Sequence, residues 1–171
     1  MTLIEQIDYI IIKNLDGSLS LRTTKTICTM TGILGYSFDN ELCSMSKAGA
    51  LIIKSGFTWN GPNLINKLLR KNNNFKILLR MIFPSLVHDA LYTLIAAKLF
   101  TSCNCATVAH SFYSLRLAAD QLFFRQLRFE GLSYFKSKVS YYAVRVFGKK
   151  GAQHNDRFNK RIDNKKDNCV L

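Results

Sequence analysis

Negative charge is what this chain has least of. Its 11 acidic residues face 24 lysines and arginines, for a formal net charge of +13. Between Glu41 and Asp120 the only carboxylate is Asp89. So sparse a set argues against a tight, all-protein calcium cage, which draws on several carboxylates. The excess of cations favours an anionic partner: nucleic acid, an anionic membrane surface or an acidic protein. Cysteine is present but unpatterned. Its five copies (Cys28, Cys43, Cys103, Cys105, Cys169) are odd in number and fit no disulfide framework. Cys103 and Cys105 are too close for a two-residue-gap zinc knuckle. Reduced thiols and an intracellular site of synthesis are expected. Phosphate-loop, nucleophile-elbow and zinc patterns are all missing, as is any internal repeat.

Long hydrophobic runs are missing too. The most apolar region, Ile77 to Phe100, is broken by Arg80, His88, Asp89 and Lys98, so no transmembrane segment is expected. The N-terminus lacks a basic region before its apolar residues, which argues against a signal peptide. Cys169 is third from the C-terminus, not fourth, so no prenylation box is formed.

What remains is a globular composition, 48% hydrophobic and 12% aromatic. The length suits one domain with a real core. The patterning predicts an α+β fold: a β-rich hairpin region over residues 1–62, packed on a bundle of about three helices over 63–148. A basic, flexible tail is expected over 149–171. Ile7 to Ile12 reads as a strand, Asp16-Gly17 as a turn, and the alternation from Ser18 to Ile27 as the returning strand. Ala50 to Lys54 reads as another strand. The loop Ser55 to Asn63 holds the single Trp, two glycines and one of two prolines, so burial of Trp59 should anchor it.

Residues 64–80 read as a helix interrupted by a solvated Arg70-Lys71-Asn72-Asn73-Asn74 loop. A second helix is predicted from Met81 to Phe100, with Pro84 in its first turn. A third follows from Thr107 to Phe129, with Leu115, Ala118, Ala119, Leu122 and Phe123 as its apolar stripe. A Tyr-rich helix from Ser133 to Phe147 stops at Gly148.

Three polar residues stand out inside these apolar stripes: His88, Asp89 and Asp120. His88 and Tyr92 are one helical turn apart and share a face. Buried polar groups need partners, so His88 and Asp120 are expected within hydrogen-bond reach across two antiparallel helices. Arg116, one turn before Asp120, is its expected ion-pair partner. The pair either braces the core or does chemistry. His110 and His154 read as ordinary surface or loop residues.

In order along the chain, these features resemble a family of phage and prophage proteins, domain of unknown function 1353. The matching residues are Gly56-Phe57, Gly61-Pro62, His88-Asp89-Ala90-Leu91-Tyr92, Arg116, Ala119-Asp120, Tyr141-Tyr142, Val144-Arg145 and Gly148, within residues 50–148. The resemblance implies phage origin, with a protein acting in the host cytoplasm or carried in the virion. It assigns no chemistry. On it, the chain is expected to be a binding or accessory protein with a basic surface.

The same His-Asp-x-x-Tyr element is similar to the phospholipase A2 core. That likeness implies a hydrolase. His88 would be the catalytic general base, Asp120 its orienting carboxylate, Asp89 a calcium ligand and Tyr92 a supporting hydrogen-bond donor. The chain departs from it in lacking cysteines around His88 and in its Trp59-Asn60-Gly61-Pro62 loop. The His…His-Asp…Asp phosphohydrolases need a histidine upstream, and none precedes His88.

Overall fold

β-branched residues and alternating polarity fill the first third of the chain, and short antiparallel strands form there. The structure, a computed structural model, describes residues 8–13, 19–61, 75–101 and 106–148. The predicted Asp16-Gly17 turn, the basic loop at 70–74 and the tail at 149–171 lie outside the described residues. Strands β1 (Tyr9–Lys13), β2 (Leu19–Thr23) and β7 (Thr58–Trp59) make one sheet in the order β1-β2-β7. The expected hairpin is there, with Tyr9 opposite Thr23 and Lys13 opposite Leu19. Strands β3 (Ile27–Met30), β4 (Phe38–Asp39), β5 (Cys43–Met45) and β6 (Ala50–Ile53) make the second, in the order β3-β6-β5-β4. The run predicted as one strand from Ser18 to Ile27 is split at Thr24–Thr26, so the chain changes sheets there.

Period-2 alternation decides what the second sheet buries. Cys43, Met45, Leu51 and Ile53 all turn inward and are buried. They meet α1 (Phe75–Thr101), whose Phe83, Leu86, Val87, Ala90, Leu91 and Leu94 share that core. The expected anchoring by Trp59 is observed. Trp59 is buried, meets Tyr9 edge-on with ring centroids 6.3 Å apart, and donates from Nε1 to Ser85 Oγ at 3.2 Å.

α2 (Ala106–Phe129) returns alongside α1. The contacts His88–Asp120 and Tyr92–Asp120 near the middle, and Arg80 to Gly131 at one end, fix the pair as antiparallel. α2 ends where Gly131 adopts φ 80°, a left-handed conformation that glycine takes without a Cβ clash. Leu132 N–H then donates back to Leu127 O at 3.0 Å, and Leu132 packs with Met81, Phe123 and Leu127 in a second core. α3 (residues 134–148) follows. The architecture is therefore α+β, a β-rich N-terminal part with three described helices packed together.

One boundary differs from expectation. α1 begins at Phe75, so Pro84 lies in its interior rather than its first turn. Pro84 is nonetheless fully buried in the helix, and Ser85 Oγ beside it donates to the Ile82 carbonyl at 2.9 Å. The span Ile77–Ala97 is long and apolar enough to cross a membrane by composition, yet 67% of it is buried within the fold. Among the described residues no other helix passes that test.

Candidate functional site

Helical spacing puts His88 and Tyr92 on one face of α1, and Arg116 and Asp120 on the facing side of α2. Asp120 is fully buried and is the centre of the arrangement. Its Oδ1 accepts from His88 Nε2 at 2.8 Å and from the Tyr92 hydroxyl at 2.7 Å. Its Oδ2 accepts from Arg145 Nη1 at 2.9 Å. Arg116 Nε donates to the Tyr92 hydroxyl at 2.9 Å, and its Nη2 donates to the carbonyls of Val144 and Arg145. Five side chains and a stretch of backbone thus join all three helices.

Aromatic rings close the rest. The His88 ring lies 4.2 Å from the Tyr92 centroid and 5.1 Å from Phe123. Gly148 packs directly on Tyr92: a Cβ there would sit 3.1 Å from Cε1 and 3.2 Å from the hydroxyl. Only glycine lets α3 come that close.

The electrostatics follow from burial and pairing. Burial would push the Asp120 carboxyl up, but hydrogen bonds from His88, Arg145 and Tyr92, with the His88 charge, hold it below the usual carboxylate value. Burial would push His88 down, but the hydrogen bonds and charges of Asp120 and Asp89 outweigh it and raise its pKa. Tyr92 is pushed well up by burial and the nearby Asp120 charge. It stays a neutral donor.

The expected pairing of His88, Tyr92 and Asp120 is present. Arg116 is not the ion-pair partner of Asp120; Arg145 takes that role, and Arg116 spans to Tyr92 and the α3 backbone instead. One-turn spacing on a helix made Arg116 the obvious partner, but its long side chain reaches across to the facing helix. Arg145 could have been found from sequence as the lone cation in the aromatic and aliphatic run Tyr141 to Gly148.

Asp89 lies at the edge of the network. Its Oδ1 is 3.4 Å from His88 Nδ1, and its side chain is about one-third exposed (36%). It is a lone carboxylate: among the described residues no group of three or more His, Cys, Asp or Glu could hold a metal ion. Asn60 Oδ1, beside the expected loop ligands, already accepts from Ser20 Oγ at 3.3 Å. Among the described residues no second carboxylate joins Asp89 to hold a cation.

With Nε2 donating to Asp120, a neutral His88 carries its free lone pair on Nδ1, the tautomer being inferred from this network. Protonated, the ring bridges two carboxylates. The arrangement can therefore lock three helices, or accept a proton at Nδ1.

Cys28 is exposed and Cys43 buried, both as free thiols; burial raises Cys43 to about 12, so it is a packing residue. No family model matches the chain, and neither does any curated protein or solved structure.

Proposed function

We propose that this is a phage-encoded binding or accessory protein that engages an anionic partner through its basic surface, its His-Asp network serving to brace the helices. The order of motifs from Gly56 to Gly148 supports the phage assignment. The observation that carries the bracing role is the saturation of Asp120. Both of its oxygens are occupied by three donors from two other helices, and His88 is only 5% exposed. A carboxylate so fully engaged holds its neighbours in place. The charge of +13 supports the anionic partner.

The test is retention on a polyanion. The full chain is expected to bind heparin at low salt and to release it steeply as salt rises, through loss of counterion release. Failure to bind at low ionic strength would remove the proposal.

One observation favours a second reading, a hydrolase. His88 Nδ1 points toward the partly exposed Asp89, so a water reaching that side could be deprotonated there while Asp120 steadies the imidazolium. Ester hydrolysis lost in His88→Gln, with the fold intact by circular dichroism, would put this reading first. Activity unchanged in that variant would leave the bracing role.

A further inference from the structure

α3 is inverted relative to an ordinary surface helix. Its inward face carries small residues, with Ser137 at 0% exposure and Ser140, Ala143 and Gly148 close against the fold. Its large apolar residues point out: Phe135 is 76% exposed, Val146 67% and Tyr142 55%, with Val139 beside them. At about 100° per residue, positions 135, 139, 142 and 146 fall within an arc of roughly 60°. They form one stripe about 16 Å long. A contiguous apolar surface of this kind marks an interaction site.

The charges around the stripe select the partner. From Tyr113 to Gly148 the only carboxylates are Asp120 and Glu130, and both are buried. Every exposed charge there is positive, including Arg125, Arg128 and Lys138. A groove of ≈ 360 Å³ lies beside the stripe, between α2 and α3, lined by Gln121, Phe124, Arg125, Tyr134, Lys138 and Tyr141. Lys138 Nζ sits over the Tyr134 ring, 5.2 Å from its centroid, and Arg125 lines the same groove, so two cations are available to a phosphate headgroup.

A second copy of this chain would bring like charges together. The chain's own residues 149–171 hold seven lysines and arginines against three aspartates, the same sign again. Single-stranded nucleic acid is held by flat rings on which successive bases stack, whereas Val139 and Val146 break the row of rings along this stripe. Valine and phenylalanine outermost, tyrosine between, and lysine and arginine at the margins match a surface that sinks partway into a bilayer.

We infer that the outward face of α3, with the basic rim from α2, docks on an anionic lipid surface. This rests on the reading of the chain as a binder of anionic partners. It adds that the partner has an apolar interior as well as negative charge.

Flotation of the full chain with vesicles tests it. Binding is expected to phosphatidylcholine vesicles containing phosphatidylglycerol and not to phosphatidylcholine alone. Phe135→Ser with Val146→Ser should weaken that binding by about tenfold or more, while heparin retention and thermal melting stay unchanged. As a second readout, Phe135→Trp should show blue-shifted emission on anionic vesicles, because the native Trp59 is buried and silent to the surface.

Vesicle binding insensitive to the double substitution, or no shift in Phe135→Trp, overturns the inference. So does a dimer, or single-stranded oligonucleotide binding, that depends on Phe135 and Val146. In each of those cases retained heparin binding leaves the broader function standing. Loss of heparin binding by the unaltered chain removes the broader function instead.

Discussion

Asp120 makes the largest demand on its surroundings, because a buried carboxylate is tolerable only while its donors stay in place. Asp120→Ala strands His88, Tyr92 and Arg145 at once. It is expected to cost roughly 3–5 kcal/mol, the range for breaking a buried charge pair from one side, read from urea unfolding. The pH dependence has two flanks. The Asp120 carboxyl is depressed in the fold, so its contribution is present above the ordinary carboxylate value and is lost as pH falls through its lowered folded pKa. His88 is raised, so its contribution is full below about 6.5 and is lost as pH rises through its folded pKa. Stability should peak between. His88→Gln should flatten the alkaline flank and also move the acid flank, because the His88 hydrogen bond and charge help to depress Asp120; an unchanged alkaline flank would mean that His88 does not titrate as described. Glu130 is the opposite case: it is buried, and both carboxylate oxygens lack a partner among the described residues. Burial raises its pKa against the opposing charge of Arg80. A carboxyl more basic in the fold destabilises as pH rises through that pKa. Glu130→Gln should therefore stabilise by roughly 1 kcal/mol at neutral pH, and the gain should vanish in acid.

At the scale of elements, α3 is held by its contact with Tyr92, by Arg116 and by the Arg145–Asp120 pair, alongside the packing of Ala143 and Val144. Gly148→Ala places a methyl group against the Tyr92 ring. It is expected to cost about 1–3 kcal/mol, as overpacking does, and to loosen α3 ahead of the rest in hydrogen exchange. Protection unchanged across α3 would show that the contact is not limiting. Much of this layout was legible beforehand. His88 and Asp120 announced each other because each is polar in an apolar stripe, and the β1–β2 hairpin announced itself by alternation. Arg145 stood out only as a lone cation in an aromatic and aliphatic run; its pairing with Asp120 was not legible, since that partner is 25 residues away and on another helix. Pro84 was misplaced because the asparagines at 72–74 look like a loop and proline favours a first turn. α1 instead begins at Phe75, which puts the buried Pro84 in its interior. The inversion of α3 was hidden for another reason. The sequence marks it only as a Tyr-rich helix, and only packing reveals that the small serines face in.

For the molecule as a whole, charge is unevenly spent in space: on the segment from α2 through α3 the carboxylates Asp120 and Glu130 are inside, and Arg125, Arg128 and Lys138 are outside. Residues 149–171 add a net four positive charges, seven basic against three acidic. Their removal is expected to shallow the salt dependence of heparin binding, since fewer counterions are released. A slope unchanged by the truncation would assign the contact wholly to residues 1–148. Arg116 has one more consequence. It grips α3 by the carbonyls of Val144 and Arg145, groups that every residue type carries. The outward positions of α3 are thereby relieved of any part in holding the helix down. Selection can rewrite Phe135, Val139, Tyr142 and Val146 to suit a new partner without first finding a compensating change in the core, so this face is where the protein can evolve fastest.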